Sequence, residues 1–114
     1  MRISVVGLGY VGAVTCACLT RDGHSVIGID TSEDKVAQIT RGESPIIEPG
    51  LAELLADGAT TGRLSATTDA EGAIRGTEMT MVSVGTPSLA DGSHDLSAVY
   101  LVCEQLGSAL AATR

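Results

Sequence analysis

The residues most suited to chemistry are three glycines near the amino terminus, in Gly7-Leu8-Gly9-Tyr10-Val11-Gly12. Their G-x-G-x-x-G pattern is weak alone, but here it follows an apolar run, Ile3–Val6, and precedes a helical pattern. In such a loop Gly7 allows a tight turn, Gly9 lets a pyrophosphate approach the backbone, and Gly12 lets the helix pack closely. The free N–H groups and about half a positive charge at the helix N-terminus attract phosphate. The segment therefore predicts a dinucleotide site.

A second chemical group follows the next apolar run, Val26–Ile29. Asp30 lies 21 residues after Gly9, at a position where a carboxylate accepts hydrogen bonds from both hydroxyls of an adenosine ribose. It would repel a 2′-phosphate, and no arginine follows it directly, so the sequence predicts NAD rather than NADP. A helix cap or a turn residue is the alternative for Asp30, and its register with the glycines favours the cofactor.

Lys35 and Thr86 have weaker support from position alone. Lys35 lies one turn into the second helix and could reach the adenosine ribose or a phosphate, but spacing alone favours an ordinary exposed lysine. Thr86 belongs to Gly85-Thr86-Pro87, after the strand expected beside the first one. It could form a hydrogen bond at the switch point of the sheet, where ligands bind. A turn that only ends the strand is an equal alternative.

The elements that position these residues alternate between strands and helices. Apolar runs predict buried strands at 3–6, 26–29 and 79–84 and a weaker strand at 64–67. Helices follow each strand, with an extra helix at 51–55 and a break at 58–62. This order implies a parallel sheet with right-handed crossovers and strand order 3-2-1-4. The predicted fold is α/β, a Rossmann-type doubly wound sheet that is truncated, because the complete fold has six strands.

Two of the predicted helices carry specific expectations. The first helix is expected to bury a stripe of apolar residues, namely Val11, Val14, Cys18 and Leu19, and to stop at Asp22-Gly23. Asp95 is expected to cap the last helix. Glu48, directly before Pro-Gly, is expected to shape a loop or begin a helix rather than to act as a base.

The composition limits the classes of function. The 114 residues suffice for one domain, and with no Phe, no Trp and only two Tyr, an aromatic surface for stacking bases is not expected. Acidic residues number 14 and basic residues 7, giving a net charge of −7, which argues against nucleic-acid and membrane partners. No apolar run is long enough for a transmembrane helix, and the amino terminus is unlike a signal peptide.

The cysteines do not suggest a catalytic or metal site. Cys16, Cys18 and Cys103 are odd in number and form no CxxC pattern, which favours a reducing cytoplasm over a disulfide framework. Cys16 and Cys18 are two residues apart on a helix and so face different directions. All three are expected to be small buried hydrophobic residues.

Several segments together resemble the UDP-glucose/GDP-mannose dehydrogenase family, the nucleotide-sugar 6-dehydrogenases. The resemblance spans nearly the whole chain and is most specific at Glu48-Pro49-Gly50-Leu51 and in residues 62–69. It also includes the glycine loop, Gly28-Ile29-Asp30 and Val84-Gly85-Thr86-Pro87. Residues 44–50 and 85–88 are most similar to the members that act on GDP-mannose, because UDP-glucose members more often carry an aromatic residue at the place of Ile47.

The resemblance implies an oxidoreductase that converts the C6 hydroxyl of a nucleotide sugar to a carboxylate with two NAD. An aldehyde-level intermediate would be held on a cysteine, and the product would feed an acidic exopolysaccharide, which is alginate when the sugar is GDP-mannose. By position, the NAD contacts carried over are Tyr10 and Val11, through their backbone N–H groups, with Asp30, Lys35 and Thr86. The family's catalytic residues lie beyond residue 114, so this chain alone is expected to be inactive.

Three functions fit these residues. The first is the NAD-binding part of an enzyme that oxidises GDP-mannose to GDP-mannuronate, and the second is the same part of an enzyme that converts UDP-glucose to UDP-glucuronate. The third is a stand-alone NAD-binding module without catalysis. For the enzymes, residues 1–114 are expected to form an incomplete N-terminal NAD-binding domain, without the substrate and C-terminal domains, of a cytoplasmic homodimer that binds a nucleotide sugar.

Overall fold

A computed structural model describes residues 1–84 and 97–112, so Thr86 and Asp95 lie outside the described residues. The elements alternate along the chain in the order that the sequence predicts. They are β1 (Arg2–Val6), α1 (Tyr10–Arg21), β2 (Ser25–Ile29), α2 (Glu33–Thr40), α3 (Leu51–Thr61), β3 (Leu64–Thr67), α4 (Ala70–Arg75), β4 (Met79–Val82) and α5 (Ser97–Ala112).

The four described strands form one sheet in the order β3-β2-β1-β4, which confirms the predicted order. Every neighbouring pair is parallel. In the register of the sheet, Val6 of β1 lies beside Ile29 of β2 and Val82 of β4. The carboxyl ends of these three strands therefore meet at one edge, which is where the glycine loop begins.

Helices cover both faces of the sheet, as a doubly wound fold requires. Successive side chains of a strand point to opposite faces, and β1 shows this clearly. Ile3 and Val5 pack into one apolar cluster with residues of α1, α2 and α3. Val6 packs into a second cluster with residues of α4 and α5. Burying one such aliphatic side chain contributes about 1.5–3 kcal/mol, so β1 anchors both layers.

Helix α1 buries a different face from the one that its larger apolar residues indicate. Its buried residues are small: Gly12, Ala13, Cys16, Ala17 and Thr20. Val11 is 62% exposed, and Val14, Cys18 and Leu19 are only partly buried. The predicted stripe is therefore wrong, because the helix packs against the sheet through its smallest side chains and its larger ones lie at the margins of that contact.

Helix α3 is longer than predicted. Most of residues 58–62, where a break was expected, belong to the helix, and only Gly62 ends it. Gly58 lies inside the helix because its missing side chain makes room for two neighbours. A Cβ there would lie 2.8 Å from Thr20 Cγ2 and 2.9 Å from Leu64 Cβ. The helix ends at Gly62, whose φ of +77° is in the left-handed region that glycine adopts without strain.

Strand β4 ends at Val82, two residues earlier than predicted, and it is not the buried strand that its apolar run indicates. Met79, Met81 and Val82 are 42%, 39% and 46% exposed. Among the described residues β4 pairs only with β1, so it lies at the edge of the sheet. Met79 and Met81 lie beside Ile3 and Val5 in the register.

The cysteines lie in three different environments. Cys16 is buried, Cys18 is partly buried and Cys103 is exposed, and all three are free thiols. The expectation that all three are buried therefore holds for Cys16 alone. Among the residues that the structure describes, no helix combines the length and apolar character needed to cross a membrane.

Candidate functional site

The glycine loop begins with a sharp turn that leaves the carboxyl end of β1. Gly7 has a φ of +99°, a conformation that L side chains rarely adopt, and its N–H donates to the carbonyl of Ile29 at 2.7 Å. A Cβ at Gly7 would lie 2.6 Å from the backbone oxygen of Ser83. The turn therefore requires glycine both for its backbone angle and for the closeness of the chain that follows β4.

Gly9 and Gly12 differ in what requires them to be glycine. A Cβ at Gly12 would overlap the carbonyl oxygen of Gly7, so this residue sets how closely α1 approaches the turn. A Cβ at Gly9 would meet no atom within 4 Å, and its φ of −76° is open to any residue. No contact in the described part of the chain explains Gly9. A ligand that approaches its backbone would explain it.

Helix α1 begins directly after Gly9, and no side chain caps its N-terminus. The first N–H groups of a helix have no partner within the helix. Those of Tyr10 and Val11 lie at the entrance of the helix, and both side chains are exposed, at 57% and 62%. With its partial positive charge, this end of α1 is suited to hold an anion through the backbone.

Asp30 follows β2 and connects two loops through its carboxylate. Its Oδ2 accepts the N–H of Leu8 at 2.8 Å, and its Oδ1 accepts the N–H of Ser32 at 2.9 Å. A carboxylate has about four lone-pair positions, so each oxygen keeps capacity for one more donor. The bond to Ser32 is the turn role that the sequence offered as an alternative, and the bond to Leu8 is one that the sequence did not indicate. Both leave the predicted ribose contacts available.

The predicted residues of the glycine loop meet Asp30 and Lys35 around one cleft of about 580 Å³. Lys35 is in the first turn of α2, where its own N–H donates to the Ser32 side chain at 3.3 Å. Of the predicted site residues that the structure describes, those lining the cleft are Gly7, Gly9, Tyr10, Val11, Asp30 and Lys35. Gly12 lies behind the loop, and Thr86 lies outside the described residues.

A smaller apolar cavity of about 150 Å³, which the sequence did not indicate, adjoins the cleft. It lies between the ends of β1 and β2 on one side and α5 on the other. Val6, Ile29, Val84, Leu101 and Val102 line it. Gly7, Asp30, Thr31 and Val84 line both spaces, so the two lie side by side. Only the apolar character of the strand ends could have indicated it, and this does not distinguish a cavity from a packed core.

Ser83 is a second residue that the sequence did not single out. It lies directly after β4, lines the cleft and contacts the start of the glycine loop. Its hydroxyl lies 3.1 Å from the carbonyl oxygens of both Val6 and Gly7, and it can donate to either. A serine at a strand end has no distinctive spacing, so its contacts with residues 76 and 77 positions away are visible only in the fold.

Two ionisable side chains near the loop have altered acidity. Tyr10 has its pKa raised by a hydrogen bond with Glu48 and by that carboxylate's negative charge, so its phenol stays protonated. The Glu48 carbonyl also accepts the N–H of Leu51 at 3.2 Å, which agrees with its predicted place before a helix. Burial raises the pKa of Cys16 to about 12, which keeps it a thiol and removes its nucleophilic form.

No group of three or more metal-binding side chains comes together in residues 1–84 and 97–112. What the arrangement offers instead is a backbone cradle, one carboxylate, one lysine and an adjoining apolar cavity. Together these are complementary to a ligand with a phosphate group, hydroxyls and a flat apolar end.

Comparison with known proteins gives the same result. The model of the UDP-glucose/GDP-mannose dehydrogenase family, NAD binding domain, matches residues 1–114. The chain is 54% identical over 110 residues to GDP-mannose 6-dehydrogenase of Azotobacter vinelandii, a match that covers 96% of this chain and 25% of that protein. It is 44% identical over 110 residues to UDP-glucose 6-dehydrogenase of Pseudomonas aeruginosa, covering 96% of this chain and 24% of that protein.

A solved structure agrees with these similarities. The crystal structure of a ternary complex of GDP-mannose dehydrogenase from Pseudomonas aeruginosa matches this chain with a TM-score of 0.95 at 50% identity, covering 96% of this chain and 25% of that one. The chain thus spans about a quarter of the length of the relatives that it matches. These findings confirm the predicted fold and the predicted cofactor, NAD. The chain belongs to the UDP-glucose/GDP-mannose dehydrogenase family, in which it corresponds to the NAD-binding domain.

Proposed function

We propose that this protein holds NAD in the cleft at the carboxyl ends of β1 and β2, as the NAD-binding part of an enzyme that oxidises GDP-mannose to GDP-mannuronate. The observation that carries the binding is the backbone at Gly9, which faces open space at the uncapped start of α1. The choice of sugar is supported by 54% identity to a GDP-mannose enzyme against 44% to a UDP-glucose enzyme.

In this proposal the pyrophosphate of NAD lies over the glycine loop. The N–H groups of Tyr10 and Val11 donate to its oxygens, and Gly9 allows the approach because it has no side chain. The protein has a net charge of −7, so long-range attraction does not assist a dianion. The binding energy must instead come from these short backbone contacts and the helix dipole, with Lys35 as the nearby cation of the cleft.

The adenosine end extends from the loop toward Asp30 and the apolar cavity. The carboxylate of Asp30 accepts from the ribose hydroxyls while its two backbone hydrogen bonds hold it in place. The adenine ring has the flat apolar shape that suits the cavity between Ile29 and α5. A 2′-phosphate would meet the Asp30 carboxylate directly, which favours NAD over NADP. Thr86 completes this set on the basis of the family resemblance.

The chemistry that bound NAD supplies is acceptance of a hydride. Two such steps, with one water that supplies the second carboxylate oxygen and with protons released to solvent, take a C6 alcohol to a carboxylate, as the family resemblance implies. The residues of this chain bind and orient the cofactor, and we place the nucleophilic cysteine and the substrate domain outside residues 1–114. The described cysteines support this placement. Cys16 is buried with a raised pKa, and Cys103 is on α5 and does not line the cleft.

The proposal includes a setting and an assembly. A product with a new carboxylate on its sugar is a precursor for an acidic exopolysaccharide such as alginate. We place the enzyme in the cytoplasm, because three free thiols are typical of a reducing compartment. The family resemblance supports a homodimer for the whole enzyme, which light scattering of the protein from the complete reading frame would measure directly.

The activity is tested with protein expressed from the complete reading frame. GDP-mannose and UDP-glucose are each supplied with excess NAD, and NADH is followed by absorbance while the sugar product is identified by mass spectrometry. We expect two NADH for each GDP-mannose consumed and little turnover of UDP-glucose. Preferred turnover of UDP-glucose would establish the alternative substrate, and no turnover of either sugar by a protein that binds NAD would leave a binding module.

A further inference from the structure

We infer that Ser83 is a positioning residue for the cofactor loop. It acts with Asp30 to hold one peptide unit, the one that joins Gly7 to Leu8, from two neighbouring strands. This inference rests on the proposed function, since the loop it orients is the one that we propose binds the pyrophosphate of NAD. Ser83 itself lies at the end of β4 and is only partly buried.

The contacts of this peptide unit define the role. Its carbonyl, on Gly7, lies 3.1 Å from the hydroxyl of Ser83, and the Val6 carbonyl is equally distant. Because the Val6 carbonyl already accepts the N–H of Ser83 at 2.8 Å, we assign the hydroxyl proton to the Gly7 carbonyl. Its N–H, on Leu8, donates to Asp30 Oδ2 at 2.8 Å. The carbonyl of this peptide plane is therefore held by Ser83, which follows β4, and its N–H is held by Asp30, which follows β2. Rotation of this plane would break both hydrogen bonds, and the next residue along the chain is Gly9.

The surroundings leave this peptide little freedom to find other partners. The Gly7 carbonyl packs directly against Gly12, and a Cβ added to Gly12 would overlap its oxygen. The backbone of Ser83 is fixed by its own N–H, which donates to the Val6 carbonyl at 2.8 Å. Leu8 is fully buried, and a Cβ at Gly28 would lie 2.8 Å from its side chain. The hydroxyl of Ser83 is thus aimed at the loop by a rigid strand end.

The functional consequence concerns preorganisation. A loop that already points its N–H groups into the cleft binds a pyrophosphate without the cost of ordering itself. Without the Ser83 hydroxyl, the Gly7 carbonyl loses a hydrogen bond and the peptide plane is held from one side only. We therefore expect weaker NAD binding through a less ordered loop, although the strands of the sheet remain paired.

The test compares three substitutions in this chain. Ser83→Ala removes the hydroxyl, and Ser83→Cys keeps a side chain of similar shape with a weaker donor. Thr80→Val is the matched control, because it removes a hydroxyl from β4, the strand directly before Ser83. That hydroxyl lies 2.7 Å from Ser4 Oγ, away from the cleft. NAD and ADP-ribose affinities are measured by calorimetry, and unfolding by urea.

We expect Ser83→Ala to weaken NAD and ADP-ribose binding about five- to tenfold, the effect of losing one ordinary hydrogen bond. Ser83→Cys should also bind both ligands more weakly. Thr80→Val should bind them within about twofold of the original chain, although its free energy of unfolding should fall by about as much as that of Ser83→Ala. In the enzyme from the complete reading frame, Ser83→Ala should raise KM for NAD and leave kcat nearly unchanged. Equal affinities for all variants, or losses that only follow stability, would overturn the inference.

Amide resonances in the ligand-free chain separate this inference from the proposed function. In Ser83→Ala the Leu8 and Gly9 amides should shift or broaden, whereas in Thr80→Val they should not. If the enzyme from the complete reading frame fails to bind NAD, the proposed function is wrong, and the resonances still decide whether Ser83 orders the loop. Unchanged Leu8 and Gly9 resonances in Ser83→Ala would show that it does not.

Discussion

Among single residues, the three loop glycines show that the same residue type serves different purposes. Gly7 and Gly12 are required by neighbouring backbone, since a Cβ on either would collide with Ser83 or Gly7. Gly9 is next to open space. Within residues 1–84 and 97–112 nothing requires glycine at this position, which makes Gly9 the most direct probe of a bound ligand.

We expect Gly9→Val to keep the fold and to abolish measurable NAD binding. The added side chain meets no atom of the described structure within 4 Å of its Cβ, but it fills the space through which a pyrophosphate reaches the backbone. Calorimetric titration with NAD, together with circular dichroism to establish folding, measures both effects. Gly107→Val on α5, where a Cβ also meets nothing within 4 Å, is the control and should bind normally.

A folded Gly9→Val variant with unchanged NAD affinity would contradict the proposed path of the pyrophosphate. NADP provides a second measurement on the original chain. Asp30 accepts two backbone hydrogen bonds as a carboxylate, so it stays in place beside the ribose position. NADP that binds more tightly than NAD would therefore be inconsistent with the role proposed for Asp30.

At the level of elements, the small residues of the helices determine where the helices lie. Gly12, Ala13, Cys16 and Ala17 bring α1 close to the sheet, and Gly58 brings α3 close to α1 and β3. Sequence periodicity weighs residues by their hydrophobicity, so it favoured Val11 and Val14 as the buried face. Close packing favoured the residues with the least side chain, and this is why the predicted stripe was wrong.

We expect Gly58→Ala to lower the free energy of unfolding by about 1–3 kcal/mol. Alanine is the better helix former, but its Cβ would lie 2.8 Å from Thr20 Cγ2 and 2.9 Å from Leu64 Cβ. Urea unfolding measures the change. Gly107→Ala on α5 is the control, since open space there leaves only the gain in helix propensity, up to about 1 kcal/mol. A Gly58→Ala chain that is more stable than the original would show that α1 and α3 are not closely packed.

At the level of the whole molecule, strand β4 is more exposed to solvent than its apolar sequence indicates. Strand β4 has the apolar pattern of a buried strand, yet three of its four residues are at least 39% exposed. An exposed edge with apolar side chains is prone to pair with another chain. The edge that carries Met79 and Met81 is therefore a region where self-association of the 114-residue chain is expected.

We expect the 114-residue chain to self-associate with rising concentration, and Met81→Lys to reduce this association. A lysine on an edge strand opposes pairing with a second copy, because its charge would have to be desolvated. Light scattering across a concentration series measures the effect. Leu110→Lys on α5, which replaces a residue that is 60% exposed away from the edge, is the control. A monomeric original chain at all concentrations would contradict this expectation.

The sequence by itself determined the local and periodic features. The spacing of Gly7, Gly9 and Gly12, the place of Asp30 and the alternation of apolar runs were enough to predict a parallel sheet, its strand order and NAD as the cofactor. These features depend on contacts between residues close in the chain and on general rules for connecting parallel strands. The family resemblance then added Lys35 and Thr86, which spacing alone did not favour.

The tertiary structure decided what depends on distant residues. It placed Ser83 against a carbonyl 76 positions away, buried the small face of α1, kept Gly58 inside α3 and left β4 exposed. None of these follows from hydrophobicity or from spacing along the chain. Each is set by how closely two packed elements approach, and that distance is a property of the assembled core.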